Sequence, residues 1–159
     1  MVERLQILLR IGQFLEVLHS HDLIYGDISW RNMLFALDPT EVAILDMDGV
    51  HRISAEVLAG KDGAHTPDWE DPKSPDGAAL GFDQDRYRYG LLAYRMLVSD
   101  GYDTHLPEGD HLPSLDHWGL ASRAELQTIE WLMKRSCGPL GSRPPIGEWV
   151  EALRFAELL

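Results

Sequence analysis

Cysteine is nearly absent from the sequence, since Cys137 is the only one in 159 residues. A lone cysteine excludes an internal disulfide framework and a cysteine-rich zinc module. Long apolar runs are also missing: none approaches the roughly 20 residues needed to span a bilayer, and the first residues lack the charged-then-apolar layout of a secretory signal. These absences predict a soluble protein of a reducing compartment, which we expect to be the cytoplasm, with no membrane partner.

Basic residues are scarce relative to acidic ones. Lys and Arg together number 14 and Asp and Glu 26, which gives a formal net charge of −12. An acidic surface repels phosphate backbones, so we expect no nucleic-acid partner for this chain alone. The length and a hydrophobic fraction of 45% are ordinary for one folded domain, which we expect to comprise residues 1–159.

The hydrophobic patterning predicts an α+β fold that is mostly α-helical. Apolar residues recur at three- and four-residue steps from Leu5 to Leu18, which is typical of an amphipathic helix. Two short apolar runs, 33–36 and 42–45, flank an Asp-Pro turn and indicate a β-hairpin, which we expect to be covered on both faces. Further helices are expected around Tyr87–Val98, Leu126–Met133 and Trp149–Leu153.

Polar side chains lie at the open end of this hairpin. We expect a register that pairs Met33 with Leu45. That register places Asn32 opposite Asp46, while Asp27 lies in the preceding loop. Amide and carboxylate oxygens are the ligands that Mg²⁺ prefers, together with water and substrate phosphates. A further carboxylate just outside such a metal site could accept a hydrogen bond from an attacking hydroxyl, as phosphoryl transfer requires.

The segment Tyr25–Asn32 resembles the catalytic loop of the protein-kinase-like superfamily, in which an Asp and an Asn stand five residues apart, as Asp27 and Asn32 do. Asp46 resembles the metal-binding Asp of the Asp-Phe-Gly motif. The resemblance implies ATP and Mg²⁺ as cofactors. It further implies that Asn32 and Asp46 bind the metal and the nucleotide and that Asp27 orients the acceptor hydroxyl.

Three later segments follow in the order that the family shows. Thr66–Pro72 resembles the end of an activation segment, and Asp85–Gly90 resembles the start of the long central helix, whose Asp holds the catalytic-loop backbone. Arg143 resembles the late arginine of the family, a second structural support. The resemblance covers essentially residues 3–157 and implies a helical domain like the C-terminal lobe of a protein kinase, with a small β-hairpin next to the catalytic loop. Its parts are the catalytic loop 25–32, the hairpin 33–46 and an activation-segment-like loop 47–80.

The small lobe of the family has no counterpart in this chain. There is no Gly-x-Gly-x-x-Gly stretch and no Val-Ala-Ile-Lys strand. The resemblance begins at the helix that precedes the catalytic loop. It therefore implies a missing N-terminal segment, a partner that bears the small lobe, or a chain that has lost catalysis.

Several positions depart from the family motifs. Tyr25 and Gly26 replace the usual His-Arg, while Arg31 stands directly before the Asn, in the order of tyrosine kinases, where it could steady the transferring phosphoryl group. Met47-Asp48 replaces Phe-Gly, which makes Asp48 a second candidate metal carboxylate on the same face of an extended strand as Asp46.

The ion pair that the family forms with its late arginine must also change. Lys73 occupies the position of the glutamate that usually pairs with that arginine, here Arg143. The replacement partner is either Glu70 or Asp71.

The leading functional interpretation is an ATP-dependent phosphotransferase that resembles a protein kinase and acts on a protein hydroxyl. One alternative is a pseudokinase-like binding module, because the small lobe is missing and the motifs are altered. Another is a small-molecule phosphotransferase of the aminoglycoside or choline kinase type, which the Gly26-Asp27 pair fits. Taken alone, Asp27 and Asn32 would be read as turn formers.

Overall fold

The computed structural model describes residues 1–53, 66–74, 81–99, 105–107, 114–115 and 124–157. The helices in these residues are α1 (Val2–Ser20), α2 (Phe82–Leu97), α3 (Ala124–Ser136) and α4 (Ile146–Glu157). The strands are β1 (Leu23–Ile24), β2 (Met33–Leu37), β3 (Thr40–Ile44) and β4 (His51–Arg52). The fold is α+β and mostly helical, which confirms the predicted fold class.

The hydrophobic core lies between the helices. The predicted apolar stripe of α1 is buried in full and packs along α4. Trp149 of α4 is completely buried and meets the Tyr89 ring of α2 edge to face, with ring centres 5.4 Å apart. The Tyr89 hydroxyl donates a hydrogen bond to the carbonyl oxygen of Leu8 at 2.7 Å. Apolar burial and these aromatic contacts therefore tie α1, α2 and α4 into one core.

Helix α2 is buried on nearly every side, including several charged positions. A helix that faces solvent on one side keeps its charged residues there, whereas a central helix must bury them. Asp85, Arg88 and Arg95 are each at most 5% exposed. These buried charges point toward the loops that α2 supports, and they organise the candidate site described below.

The hairpin of β2 and β3 is present, but its predicted register is wrong by one residue. Met33 pairs with Ile44 rather than with Leu45. Leu37 pairs with Thr40, so the connection contains only two residues, where the predicted register needs three. A slip of one residue reverses which face each side chain occupies. Asn32 is consequently not opposite Asp46.

The expectation that both faces of the hairpin are covered is also wrong. In the described part of the chain, α1 covers one face, where the Thr40 hydroxyl donates to Gln6 Oε1 at 2.8 Å. On the other face Leu34 is 60% exposed, and toward the turn on the α1 face Leu37 and Phe35 are still 60% and 46% exposed. The short apolar runs resembled buried strands, but the hairpin projects beyond the helical core.

The loop predicted over 47–80 contains regular structure at its start. Residues Met47–Gly49 form one 3-10 turn, and β4 pairs with β1, with Leu23 opposite Arg52. The hairpin strands end at Ile44 rather than at residue 46. Positions 54–65 and 75–80 of the predicted loop lie outside the described residues.

A membrane span was not expected from the sequence. Within the described ranges, every helix is too short or too polar to cross a bilayer.

Candidate functional site

The Asp85 carboxylate holds the backbone at the start of residues 25–32. Its Oδ2 accepts a hydrogen bond from the Tyr25 N–H, and its Oδ1 accepts one from the Gly26 N–H, both at 2.9 Å. Gly26 has φ of 82°, in the left-handed region that side chains with a Cβ rarely adopt. Glycine therefore lets the chain turn two successive N–H groups toward one fully buried carboxylate.

His19 is a third partner of Asp85, and the sequence analysis missed it. His19 Nε2 lies 3.1 Å from Asp85 Oδ2, and the His19 ring packs on Phe82 with ring centres 4.5 Å apart. An ionised carboxylate only accepts hydrogen bonds, so Nε2 is the donor. A fully buried aspartate needs several donors, but His19 and Asp85 are 66 positions apart in the sequence, so no local pattern identifies this donor.

Asp27 and Asn32 are in direct contact. Residues Trp30–Asn32 form a single 3-10 turn that brings Asn32 back toward the start of the loop. Asn32 Nδ2 donates to the Asp27 carbonyl oxygen at 2.9 Å and to Asp27 Oδ2 at 2.7 Å. The amide nitrogen is thus engaged by Asp27, and the other end of the Asn32 amide is its acceptor oxygen.

Thr66 also binds Asp27, a role that the sequence analysis did not assign. The Thr66 N–H donates to Asp27 Oδ1 at 3.2 Å, and the Thr66 hydroxyl donates to the same oxygen at 3.1 Å. The hydroxyl also lies 3.1 Å from Ser29 Oγ. The Thr66-Pro67 dipeptide was the available signal, since it begins the stretch Thr66–Pro72 that resembles the end of an activation segment. The contact itself joins residues 39 positions apart.

Asp46 lies two residues beyond the end of the hairpin at Ile44. It adopts a left-handed conformation with φ of 51°. The Leu45 N–H donates to the Asn32 carbonyl oxygen at 2.8 Å, so Asp46 follows directly after the residue that faces Asn32.

The Tyr25 hydroxyl binds the backbone directly before Asp46. It donates to the Leu45 carbonyl oxygen at 2.6 Å. Burial raises the pKa of Tyr25, and the negative charges of Asp27, Asp46 and Asp85 raise it further. The negative charges of these three carboxylates therefore act on one hydroxyl and make this region electronegative.

Asp48 does not lie where the sequence predicted it, and Arg31 lies at the surface. Asp48 was expected on the same face of an extended strand as Asp46, but the left-handed Asp46 and the 3-10 turn Met47–Gly49 replace that strand. Asp48 and Arg31 are both exposed. The structure brings Asp27 and Asn32 together directly and leaves Asp48 and Arg31 at the surface.

Arg143 forms a bidentate ion pair with Asp71. Its Nη1 and Nη2 lie 2.5 Å and 2.9 Å from the two Asp71 carboxylate oxygens, and both side chains are buried. Of the two acidic candidates predicted from the sequence, the partner is Asp71 rather than Glu70. Arg143 also donates to the Asp83 carbonyl oxygen at 3.0 Å, which ties the segment around Asp71 to the start of α2.

The donor chemistry of the site fits a hard divalent cation. The Asn32 amide oxygen and the Asp46 carboxylate are donors of the type that Mg²⁺ prefers, and Mg²⁺ is commonly held by one or two carboxylates with water and substrate phosphates completing the shell. Among the described residues, no cluster of three or more His, Cys, Asp and Glu side chains could hold a metal ion by itself.

No protein-family model matches the chain. The chain is 32% identical over 92 residues to a probable serine/threonine-protein kinase of Dictyostelium discoideum. The aligned stretch covers 58% of this chain and 6% of that protein, so the chain spans only a small part of that relative's length. This partial similarity indicates a distant relationship to a protein kinase.

Proposed function

We propose that this chain is the large lobe of an ATP-dependent phosphotransferase of the protein-kinase type, which transfers the γ-phosphoryl group to a protein hydroxyl. The observation that carries the proposal is the hydrogen bond from Asn32 Nδ2 to Asp27 Oδ2 at 2.7 Å, with Asp46 directly after Leu45, whose N–H donates to the Asn32 carbonyl oxygen at 2.8 Å. The partial similarity to a probable serine/threonine kinase supports the same reaction class.

Each polar side chain has a proposed role in this reaction. Asp27 accepts a hydrogen bond from the acceptor hydroxyl and orients it for attack. The Asn32 amide oxygen and the Asp46 carboxylate hold Mg²⁺, and the exposed Asp48 is the candidate second carboxylate. When bound, Mg²⁺ neutralises charge on the nucleotide phosphates. The exposed Arg31 can turn toward the phosphoryl group as it moves.

The outer face of the hairpin supports a nucleotide site. Leu34 and Leu45 are on the face opposite α1, in diagonal positions of the ladder, and both are exposed. Diagonal side chains of an antiparallel pair are about 7–8 Å apart, close enough for one flat ring to contact both. We propose that a purine base lies on this apolar platform, with its phosphates directed toward Asn32 and Asp46.

We also expect a second protein surface to bury the exposed apolar platform. We propose that the cover is a small lobe, supplied either by an N-terminal segment or by a separate polypeptide, and that the assembly acts in the cytoplasm. A cover over this platform would bury the Leu34 and Leu45 side chains, which are 60% and 38% exposed in this chain. Burial of apolar area of this kind is the main driving force for association.

Thermal unfolding with Mg²⁺ and ATP tests the proposal. A ligand that binds only the folded chain at about 100 times its dissociation constant stabilises it by about 2.7 kcal/mol. For a chain of this length, that corresponds to a rise of roughly 5–10 °C in Tm. We expect Asp46→Asn to lose most of this rise and Asp27→Ala to keep it, because Asp27 acts on the acceptor rather than on the metal.

The matched control is Asp38→Asn, which removes an exposed carboxylate in the hairpin turn. It should leave the Mg²⁺–ATP shift unchanged. In a transfer assay with the small lobe supplied, Asp27→Ala should abolish phosphoryl transfer. A shift that persists in Asp46→Asn, or full transfer by Asp27→Ala, would contradict the assigned roles.

A second candidate function is a binding module without catalysis. The observation that favours it is the engagement of both Asp27 carboxylate oxygens: Oδ1 lies within hydrogen-bond distance of the Thr66 N–H and hydroxyl, and Oδ2 accepts from Asn32 Nδ2. A carboxylate held in this way can be a structural centre rather than a base. No thermal shift with Mg²⁺–ATP, with or without a small lobe, would favour this module over the phosphotransferase.

A further inference from the structure

Helix α2 carries two buried arginines that contact the segment delivering Thr66 to Asp27. We call residues 66–71 the Thr66 segment. Arg95 Nη2 donates to the Asp68 carbonyl oxygen at 2.7 Å, and Arg88 Nε donates to the Trp69 carbonyl oxygen at 3.2 Å. The arginines lie seven residues apart, hence on one face of α2. Two successive carbonyl groups of the segment are therefore held from a single helix face.

The same arginines hold the segment through a tryptophan ring. The Arg95 guanidinium lies 4.5 Å from the centre of the Trp69 ring, within cation–π distance. Trp69 is 3% exposed, and its ring meets Trp30 edge to face with centres 5.9 Å apart. Trp30 opens the 3-10 turn that ends at Asn32. A continuous series of contacts thus runs from Arg95 of α2 through Trp69 to Trp30, which begins the turn that carries Asn32.

Burial of these arginines is costly for stability alone. Arg88 is 5% exposed, and its Nη1 is buried with no hydrogen-bond partner in the described part of the chain. A buried donor without a partner costs free energy that an apolar side chain at the same position would avoid. Replacement of buried charged groups by well-packed apolar ones is often neutral or stabilising. What these arginines contribute instead is a fixed geometry for the 68–69 backbone.

We propose that Arg88 and Arg95 are positioning residues, which hold the Thr66 segment so that Thr66 stays bonded to Asp27 and the acceptor side of the site is preformed. This inference rests on the proposed phosphotransferase function for its kinetic consequence. Arg143 anchors the end of the segment through Asp71. Arg88 and Arg95 fix the middle, and Thr66 makes the contact with the candidate catalytic carboxylate.

Amide hydrogen exchange on the full 159-residue chain tests the structural part. Arg95→Met and Arg88→Met keep much of the side-chain volume and remove the guanidinium. We expect exchange of residues 66–71 to accelerate about tenfold or more in both variants, while α1 and α4 keep their protection. Arg95→Lys, which retains a cation over Trp69, should recover part of the protection.

The matched control is Arg4→Met. Arg4 Nη1 also donates to a backbone carbonyl of α2, that of Met96 at 2.6 Å, but it is remote in sequence from the Thr66 segment. Its exchange pattern at residues 66–71 should equal that of the parent. Unchanged exchange of this segment in both Arg88→Met and Arg95→Met would overturn the proposal. Equal acceleration throughout α1 and α4 would overturn it as well, because it would mean a general loss of stability.

The kinetic readout separates positioning from nucleotide binding. In transfer assays we expect the KM for the acceptor to rise on the order of tenfold or more, while the dissociation constant for Mg²⁺–ATP stays within about twofold, because neither arginine contacts Asn32 or Asp46. Parallel loss of acceptor and nucleotide binding would overturn the positioning role. Failure of the parent chain to bind Mg²⁺–ATP would instead remove the proposed function, and the exchange experiment would still decide what holds the segment.

Discussion

Tyr87 is a single buried side chain that makes the free energy of unfolding depend on pH. It is 3% exposed, and the Arg143 guanidinium lies 5.1 Å from the centre of its ring. Burial, followed by the negative charge of Asp71, raises the pKa of Tyr87 to about 12 from 10.0. Between these two values the folded chain keeps the phenol proton and the unfolded chain loses it. The free energy of unfolding must therefore fall as the pH rises through this window.

We predict that Tyr87→Phe removes this part of the pH dependence. At about pH 11 the pKa difference corresponds to about 1.4 kcal/mol of lost stability in the parent relative to the variant. Urea unfolding of both proteins at about pH 9 and about pH 11 measures it. Tyr94→Phe, on the same helix, is the control. Equal pH slopes for the parent and Tyr87→Phe would contradict the prediction.

At the residue scale, the sequence predicted the contact between residues close in sequence but not the contacts between residues far apart in sequence. The spacing of Asp27 and Asn32 identified a pair that the structure joins through two hydrogen bonds. Thr66 reaches Asp27 across 39 residues and His19 reaches Asp85 across 66. Such contacts depend on how complete elements pack, and a single sequence with no contact information does not specify that packing.

At the scale of elements, the sequence predicted the helices well, whereas for the hairpin it predicted the presence of the two strands but not their register. The α1 stripe from Leu5 to Leu18 is buried because a helix presents every third or fourth residue to one side. The hairpin register depends instead on one residue of turn length, since a two-residue turn sets Leu37 against Thr40. Composition around Asp38-Pro39 indicates a turn but does not decide between two and three residues.

The packing of α2 against α3 depends on the absence of a side chain at Gly90. A Cβ on Gly90 would lie 2.3 Å from both Cβ and Oγ of Ser136. Ser136 is fully buried, and its hydroxyl donates to the Leu132 carbonyl oxygen, so it has little room to move. We predict that Gly90→Ala lowers the free energy of unfolding by about 1–3 kcal/mol through overpacking.

A double-mutant cycle identifies the cause of that loss. Ser136→Gly opens the space that the new methyl group needs, so the double variant should be more stable than the sum of the single effects by about 1 kcal/mol or more. Urea denaturation of the four proteins supplies the values. Strict additivity would mean that the loss in Gly90→Ala does not arise from contact with Ser136.

On the scale of the whole molecule, stability and candidate function lie in different parts. The core is formed by α1, α2, α3 and α4, whereas the hairpin contributes exposed apolar side chains beside the Asp27–Asn32 pair. With a formal charge of −12, electrostatic repulsion limits self-association through that surface. Because Leu34 and Leu37 are exposed, the hairpin can present apolar side chains at its surface to a ligand or a covering polypeptide.

We therefore predict that substitutions in the core and in the hairpin differ sharply in cost. Trp149→Ala removes a fully buried ring and should lower the free energy of unfolding by about 3–5 kcal/mol. Leu37→Ser changes a side chain that is 60% exposed and should cost no more than about 0.5 kcal/mol. Urea unfolding at neutral pH compares the two with the parent. A loss from Leu37→Ser that approaches the loss from Trp149→Ala would place the hairpin within the stabilising core and contradict this division.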